Sequence, residues 1–219
     1  MKKLKFLIPF FLLFFSIAKS QSTDEKIGIL FKFSGPFIIH RDALENIPYQ
    51  TENGNKSNKY YDAIKSMKND NINPQKKIED FYKSTLKEKQ ANYIIIEENL
   101  TEENFPKFEG NKKSFPLNIK NLKIKYNVET ILIVDCVYGM EFESVGIIAG
   151  DKRTNIVLNN FLVETNTNSI LNKFKVGNIK NIRKKDLINP PNYPNIEESM
   201  NRLLIERIFP KLKTELLNL

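Results

Sequence analysis

Residue types from which many catalytic and metal sites are built are nearly absent from this sequence. It contains one cysteine, Cys136, and one histidine, His40. A lone cysteine cannot form an internal disulfide, and a lone histidine cannot supply a zinc site that needs several imidazoles. The sequence therefore predicts no disulfide, no metal centre and no cofactor, and a stability that rests on packing.

Glycine is also scarce, and this bears on phosphate chemistry. The eight glycines lie singly along 219 residues, so no glycine-rich phosphate loop is present. The nucleophile-elbow, H-E-x-x-H and EF-hand patterns are missing as well. These absences favour a protein that is not an enzyme, although an unusual enzyme stays open as an alternative.

Long apolar runs are confined to the amino terminus. Three lysines within the first five residues precede an uncharged run of 13 residues at 6–18 (FLIPFFLLFFSIA). This order is typical of a cleavable secretory signal peptide, and the run is shorter than the about 20 residues of a membrane-spanning helix. We predict that residues 1–20 are removed by cleavage after Ser20, which leaves Gln21 first; cleavage after Ala18 fits nearly as well.

Export sets the compartment and narrows the partners. We expect the mature chain in the periplasm or outside the cell, and the composition favours a bacterial envelope protein. No cysteine lies near the cleavage point, so a lipid anchor on the new amino terminus is not expected. Without residues 1–20 the chain keeps 30 basic and 26 acidic residues, a net charge of +4. This mild charge fits envelope protein partners and at most peripheral membrane contact, but no nucleic acid.

The first half of the chain alternates short apolar runs with helical periodicity. Residues 26–33 are typical of a buried strand that Ser34-Gly35-Pro36 stops, which places His40 in a surface loop. Asn73 and Pro74 fit the cap and the first position of a helix. Further predicted elements are helices at 60–67 and 116–127, strands at 93–96 and 130–138, and an exposed loop near 99–116.

The second half changes to the two-residue period of strands, with candidates at 145–149, 155–164 and 170–179. In the last run, apolar residues alternate with Lys173 and Lys175, as in a strand with one wet face. Residues 165–168 (TNTN) predict a hairpin turn. Asn195 is expected to cap a final amphipathic helix that Pro210 kinks or divides.

These elements predict an α/β or α+β fold. It consists of a mixed sheet with helices packed on it, antiparallel hairpins in the carboxy-terminal half and a closing amphipathic helix. The 199 residues after the signal suit one domain spanning 21–219.

Two groups of residues are candidates for function. Asp135, Glu141 and Glu143 are carboxylates that could serve acid–base or cation chemistry. Alternation puts Asp135 on the face opposite Cys136, which is expected to be an inert core thiol. A basic cluster that could contact a partner or an anionic surface is formed by Lys173, Lys175, Lys180, Arg183, Lys184 and Lys185.

The carboxy-terminal half resembles a known type of envelope domain. The run at 128–138 (VETILIVDCVY), the hairpin at 161–176 (FLVETNTNSILNKFKV) and the closing helix are similar to the α/β domains of the curli-secretion lipoprotein and TolB amino-terminal type. Asn168 stands in the turn where that pattern usually has glycine, and the lipoprotein cysteine is missing. The resemblance implies a non-enzymatic envelope component that works through protein contacts.

The leading hypothesis is therefore an exported envelope protein that binds other envelope components. An exported enzyme that uses carboxylates near Asp135 is the first alternative. The second is a carrier that holds an apolar ligand between sheet and helices, which the sixteen phenylalanines suggest.

Overall fold

A computed structural model describes residues 26–40, 47–48, 73–145, 148–181 and 194–219. The predicted signal peptide, the helix predicted at 60–67 and the basic residues Arg183, Lys184 and Lys185 lie outside these ranges. Within them, no helix is both long enough and apolar enough to span a bilayer.

The described strands form one mixed sheet. They are β1 (Ile27–His40), β2 (Ile47–Pro48), β3 (Tyr93–Ile96), β4 (Thr130–Val145), β5 (Ile148–Glu164) and β6 (Ile170–Asn181). Their order is β2-β1-β4-β5-β6. β2 and β3 both pair with the side of β1 that faces away from β4: β3 pairs with its first residues and β2 with residues near its end. β1 is parallel to β3 and β4, whereas β4, β5 and β6 are antiparallel neighbours. The predicted mixed sheet and carboxy-terminal hairpins are thus confirmed.

Helices flank the sheet. They are α1 (Pro74–Glu88), α2 (Lys120–Tyr126), α3 (Pro194–Leu203) and α4 (Phe209–Leu217), with a π-helical segment, Leu204–Ile208, joining the last two. The Asn73 side chain accepts a hydrogen bond from the Gln75 N–H at 2.9 Å, so the predicted cap of α1 is confirmed. α2 ends at Asn127, whose left-handed backbone is a common helix stop.

The sheet carries a different layer on each face. On the first face, α1, α3 and α4 cover side chains that include Ile29, Leu132 and Leu158. On the second face, α2 and the loop before it cover Leu30, Ile133 and other side chains of the central strands. Both layers are apolar inside because β1 and β4 are buried on two sides, as expected for parallel strands.

The loop between β3 and α2 is fastened to the turn between β5 and β6. Its charged side chains are exposed, but Phe105 and Phe115 are buried in the second core. The buried Asn168 amide donates to the Phe115 and Leu117 carbonyls at 2.7 and 2.9 Å, and its Oδ1 accepts from the Ile119 N–H at 3.0 Å. The Asn168 backbone has a φ of 64°, which asparagine tolerates, so the predicted turn is confirmed.

Several predicted element boundaries were wrong. β1 does not stop at Ser34-Gly35-Pro36. Gly35 has a φ of 140° and lies close to β4, where a Cβ on it would be 2.4 Å from the Tyr138 carbonyl oxygen. The register shifts there and the strand continues to His40, which pairs with Phe142 instead of lying in a loop.

The other corrections concern the hairpin and the last helix. Residues 145–149 are not a separate strand, because Val145 pairs with Ile148 across the end of the β4–β5 hairpin. The last helix begins at Pro194, so Asn195 lies inside it and is not its cap. Pro210 falls in the first turn of α4, directly after the π-helical segment, and the helical backbone continues on both sides of it. That Pro210 kinks or divides the helix stays a prediction.

Candidate functional site

Cys136 lies in the first core and takes no part in a surface site. Its side chain is fully buried among the apolar residues under the helices. Burial, and secondarily the negative charge of Asp135, raise the pKa of this thiol far above its usual range. A buried thiol that stays protonated behaves as a small apolar side chain, as expected from the sequence.

Asp135 occupies the opposite face of β4. Its side chain is 30% exposed, and its Oδ1 lies 4.0 Å from Nζ of Lys32 on β1. The alternation predicted from the sequence is therefore correct. β4 lies between β1 and β5, so Asp135 is central in the sheet and not at an edge.

A polar row runs across four strands at this level. Lys32 is opposite Asp135, Asp135 is opposite Asn159 on β5, and Asn159 is opposite Lys175 on β6. Neighbouring strands are about 4.8 Å apart, so the row spans roughly 14 Å from β1 to β6. Asp135 and Lys175, which the sequence singled out separately, therefore belong to one surface.

The next row towards the carboxyl end of β4 is mostly apolar. It consists of Ser34, Val137, Val157 and Gly177, all partly exposed. A Cβ added at Gly177 would meet Val157 Cγ2 at 3.3 Å, so Val157 packs closely against the strand backbone at this position. We call these two rows the open face; its members are Lys32, Ser34, Asp135, Val137, Val157, Asn159, Lys175 and Gly177.

The open face begins where the second layer ends. One row back, Leu30 and Ile133 are fully buried under α2 and its loop. One row forward, Lys32 and Asp135 are partly exposed. The same face of the sheet therefore changes from buried at Leu30 and Ile133 to partly solvent-exposed at Lys32 and Asp135.

The remaining predicted carboxylates lie far along β4. Glu141 and Glu143 are on the distal part of the strand, and Glu141 pairs with Arg153 of β5. Glu141 lies six residue positions after Asp135 along the strand, which corresponds to roughly 20 Å. Paired carboxylates in glycoside hydrolysis stand about 5–9.5 Å apart, so these two are not placed for that chemistry.

The predicted basic cluster is only partly within the described ranges. Lys173 and Lys175 are exposed on β6, and Lys180 is near the end of the same strand. β6 is the last strand on its side of the described sheet. Lysines on an edge strand also discourage unwanted strand pairing, which is their structural role irrespective of a partner.

A crevice lies where β3 ends beside β1. It has a volume of about 310 Å³ and is lined by Phe31, Phe33, Glu79, Lys83, Ile95, Ile96, Glu97 and Glu98. α1, which precedes β3, lies on one face of the sheet, and α2, which follows β3, lies on the other. Ligands of α/β proteins often bind where the helices on either side of the sheet diverge in this way. The volume is at the lower end for small-molecule pockets, and the carrier hypothesis stays a prediction.

One rim of this crevice holds an ion cluster. Glu98 accepts a hydrogen bond from the Tyr126 hydroxyl at 2.8 Å and pairs with Lys125. Hydrogen bonds from Lys125 and then Tyr126 lower the pKa of the Glu98 carboxyl. This rim carboxylate is thus already engaged by α2. Within the described ranges, including this rim, no three His, Cys, Asp or Glu side chains are grouped as a metal site would need.

Sequence reasoning missed Lys32 and Asn159 on the open face. Each is a polar residue inside an otherwise apolar strand run, KIGILFKF and NIVLNNFLVE. The sequence shows these polar residues within apolar runs, but it does not show which strands lie next to each other in the sheet. The adjacent Asn160 shows the difficulty, because it points the other way and accepts a hydrogen bond from the buried Tyr82 hydroxyl.

No protein-family model matches the sequence, and no curated protein matches it. The chain is similar to a Xanthomonas campestris protein of the DUF330 family, at 10% identity over 88% of this chain and 81% of that one, with a TM-score of 0.40. It is similar to a minor lipoprotein from Acinetobacter baumannii, at 8% identity over 87% and 89%, with a TM-score of 0.35. A third similar structure is a lipoprotein from Neisseria meningitidis, at 12% identity over 83% and 99%, with a TM-score of 0.32.

Proposed function

We propose that this chain is an exported bacterial envelope protein that acts by binding another envelope protein, and that the open face is the binding surface. The observation that carries the proposal is the partly exposed apolar row of Val137, Val157 and Gly177 beside a row of charges. A buried apolar centre with a polar rim is the common arrangement of a protein interface.

The shape of the open face supports a protein partner over a small ligand. The two rows cross four strands and form no enclosed cavity, so a ligand would have to cover them from above. Because Gly177 carries no side chain, an apolar side chain of the partner can lie against Val157 at the centre of the open face. Residues near the centre of an interface often contribute most of its binding free energy.

The charges define what the partner presents. Lys32 and Lys175 stand at the two ends of the polar row, and Asp135 stands between them next to Lys32. A complementary partner carries carboxylates opposite the two ends and a hydrogen-bond donor near the centre. Charges at an interface rim mainly set specificity and the rate of association.

The test is the size of the native protein after a change at the apolar row. Val157→Arg places a long charged side chain in the apolar row, and Ile205→Arg is the matched control because Ile205 is 65% exposed on the helical layer of the other face. Native cells are fractionated, and the mature protein is sized in mild detergent. We expect the parent and Ile205→Arg in a species several times larger than the mature chain, and Val157→Arg at the size of the free chain.

Two outcomes contradict this proposal. One is a parent protein that elutes as a soluble monomer, and the other is a Val157→Arg species as large as the parent.

Asp135→Asn distinguishes the enzyme alternative from the binding proposal. The enzyme alternative requires that this variant lose an activity while its urea unfolding midpoint is unchanged. Binding through the open face instead predicts a smaller or shorter-lived complex and no lost activity.

A further inference from the structure

A second surface lies on the layer that covers the buried half of the same sheet face. Its centre is Ile124 on α2, whose side chain is 90% exposed. Lys120 lies one turn earlier on the same side of α2. The Lys120 Nζ stands 5.1 Å from the centroid of the partly exposed Phe108 ring. An aliphatic side chain, an ammonium group and an aromatic ring thus share one continuous surface.

The chain around Ile124 is strongly basic. Residues 107–125 contain six lysines and one acidic residue, Glu109. Three of the lysines are paired with carboxylates from outside this stretch: Lys107 with Glu102, Lys123 with Glu129 and Lys125 with Glu98. For Lys112, Lys113 and Lys120, no carboxylate of the described chain lies within ion-pair distance. Their positive charge is therefore available to an anionic partner.

A second exposed aliphatic side chain lies beside these lysines. The Ile170 N–H donates to the Lys113 carbonyl at 2.8 Å, which fixes the loop against the start of β6. The next residue, Leu171, is 56% exposed. We call Phe108, Lys112, Lys113, Lys120, Ile124 and Leu171 the basic apolar surface.

We propose that the basic apolar surface docks the protein peripherally on a bilayer that contains anionic phospholipid. Exposed aliphatic and aromatic side chains enter the boundary between headgroups and acyl chains, and the lysines remain at the level of the phosphates. Charge complementarity selects this occupant, because the stretch that carries the nearly fully exposed Ile124 also carries three lysines without carboxylate partners in the described chain. The proposal does not depend on the protein partner above, since the two surfaces share no residue.

The experiment measures binding of the mature chain to vesicles. Phosphatidylglycerol mixed with phosphatidylcholine provides the anionic surface, and phosphatidylcholine alone provides the neutral one. We expect binding to the anionic vesicles that weakens as salt is added, because salt screens exposed charges. Each lysine near an anionic surface adds to the binding free energy. Changing Lys112, Lys113 and Lys120 together to Gln should therefore weaken binding on the order of 100-fold. Ile124→Glu is expected to weaken it about tenfold or more.

Matched controls come from the helical layer on the opposite face. Lys76, Lys87 and Lys89 are exposed lysines in and just after α1, and their joint change to Gln alters the net charge equally. Ile205→Glu changes an exposed isoleucine in the same way. Both controls should bind vesicles like the parent, and all variants should unfold at the parent's urea midpoint because the altered side chains are exposed.

Three results overturn the proposal. The first is no binding to the anionic vesicles, or equal binding to the neutral ones. The second is a loss of affinity in the control variants as large as that in the Lys112, Lys113 and Lys120 variant. The third is release of the bound protein by millimolar inorganic phosphate at constant ionic strength, which would identify a phosphate site and not a bilayer surface.

Discussion

At the scale of single residues, Asn168 joins two parts of the chain that are far apart in sequence. Its amide satisfies two carbonyls and one N–H of the loop at 115–119, and its backbone adopts the left-handed conformation that the turn requires. Glycine would supply that conformation but none of the three hydrogen bonds. Asn168 stands where the resembling domains usually have glycine. Its side chain holds the loop at 115–119 against the turn between β5 and β6.

We predict that Asn168→Gly lowers the free energy of unfolding by about 3 kcal/mol, because it leaves three buried polar groups without partners. Asn168→Ala should cost about 1 kcal/mol more, since alanine is strained at this φ. The control is Asn166→Gly in the same turn, where the side chain is exposed and the expected change is within about 0.5 kcal/mol. Urea denaturation measures all three, and an Asn168→Gly protein as stable as the parent would contradict the structural role.

At the scale of elements, the carboxy-terminal helix needs its π-helical segment to keep one face on the core. Leu204, Ile208, Leu212 and Leu216 repeat every four residues, and all are buried. In a regular α-helix a repeat of four drifts by about 40° per step. A π-helical turn contains more residues than an α-helical turn, so Leu204–Ile208 takes up part of that drift.

The segment gives a prediction for the end of the helix. Without it, Glu215 would turn towards the sheet and Leu216 would turn away. We therefore expect Leu216→Ala to lower the free energy of unfolding by about 2–5 kcal/mol. Glu215→Ala, its exposed neighbour, should change this free energy by less than about 0.5 kcal/mol. Urea denaturation measures both variants. A larger loss of stability for Glu215→Ala than for Leu216→Ala would show that the helix is a regular α-helix.

Local patterns were enough to predict most elements but not their limits. The cap at Asn73, the strand Tyr93–Ile96 and the turn before β6 follow from short-range preferences, which the sequence displays directly. The continuation of β1 past Pro36 depends on the contact between Gly35 and Tyr138, about a hundred residues away. The open face likewise depends on which rows the layer of α2 covers, and no periodicity within one strand contains that information.

At the scale of the whole molecule, the predicted export would decide which partners the protein meets. The two proposed surfaces lie on one face of the sheet, with the open face beside the part covered by α2 and its loop. A chain docked through the basic apolar surface would therefore hold the open face beside the bilayer. A membrane-associated partner can reach it there.

Export itself can be measured on the mature chain. We predict that intact-mass analysis of protein from native cells finds Gln21 as the first residue. Ala18 serves both candidate cleavage positions, so Ala18→Leu should leave the precursor uncut, whereas a change of Leu13 to Val within the apolar run should have no effect. A parent protein that retains Met1 would contradict the signal-peptide prediction.

The position of Asp135 on the partly exposed face of β4 also limits how the long central strands can align. If β4 slipped by one residue, every side chain would change faces and Asp135 would enter the first core. If it slipped by two residues towards α2, Asp135 would take the place of Ile133, where a carboxylate would lose its water. Either misalignment carries the cost of burying a charge, so Asp135 disfavours both of them while the sheet is forming.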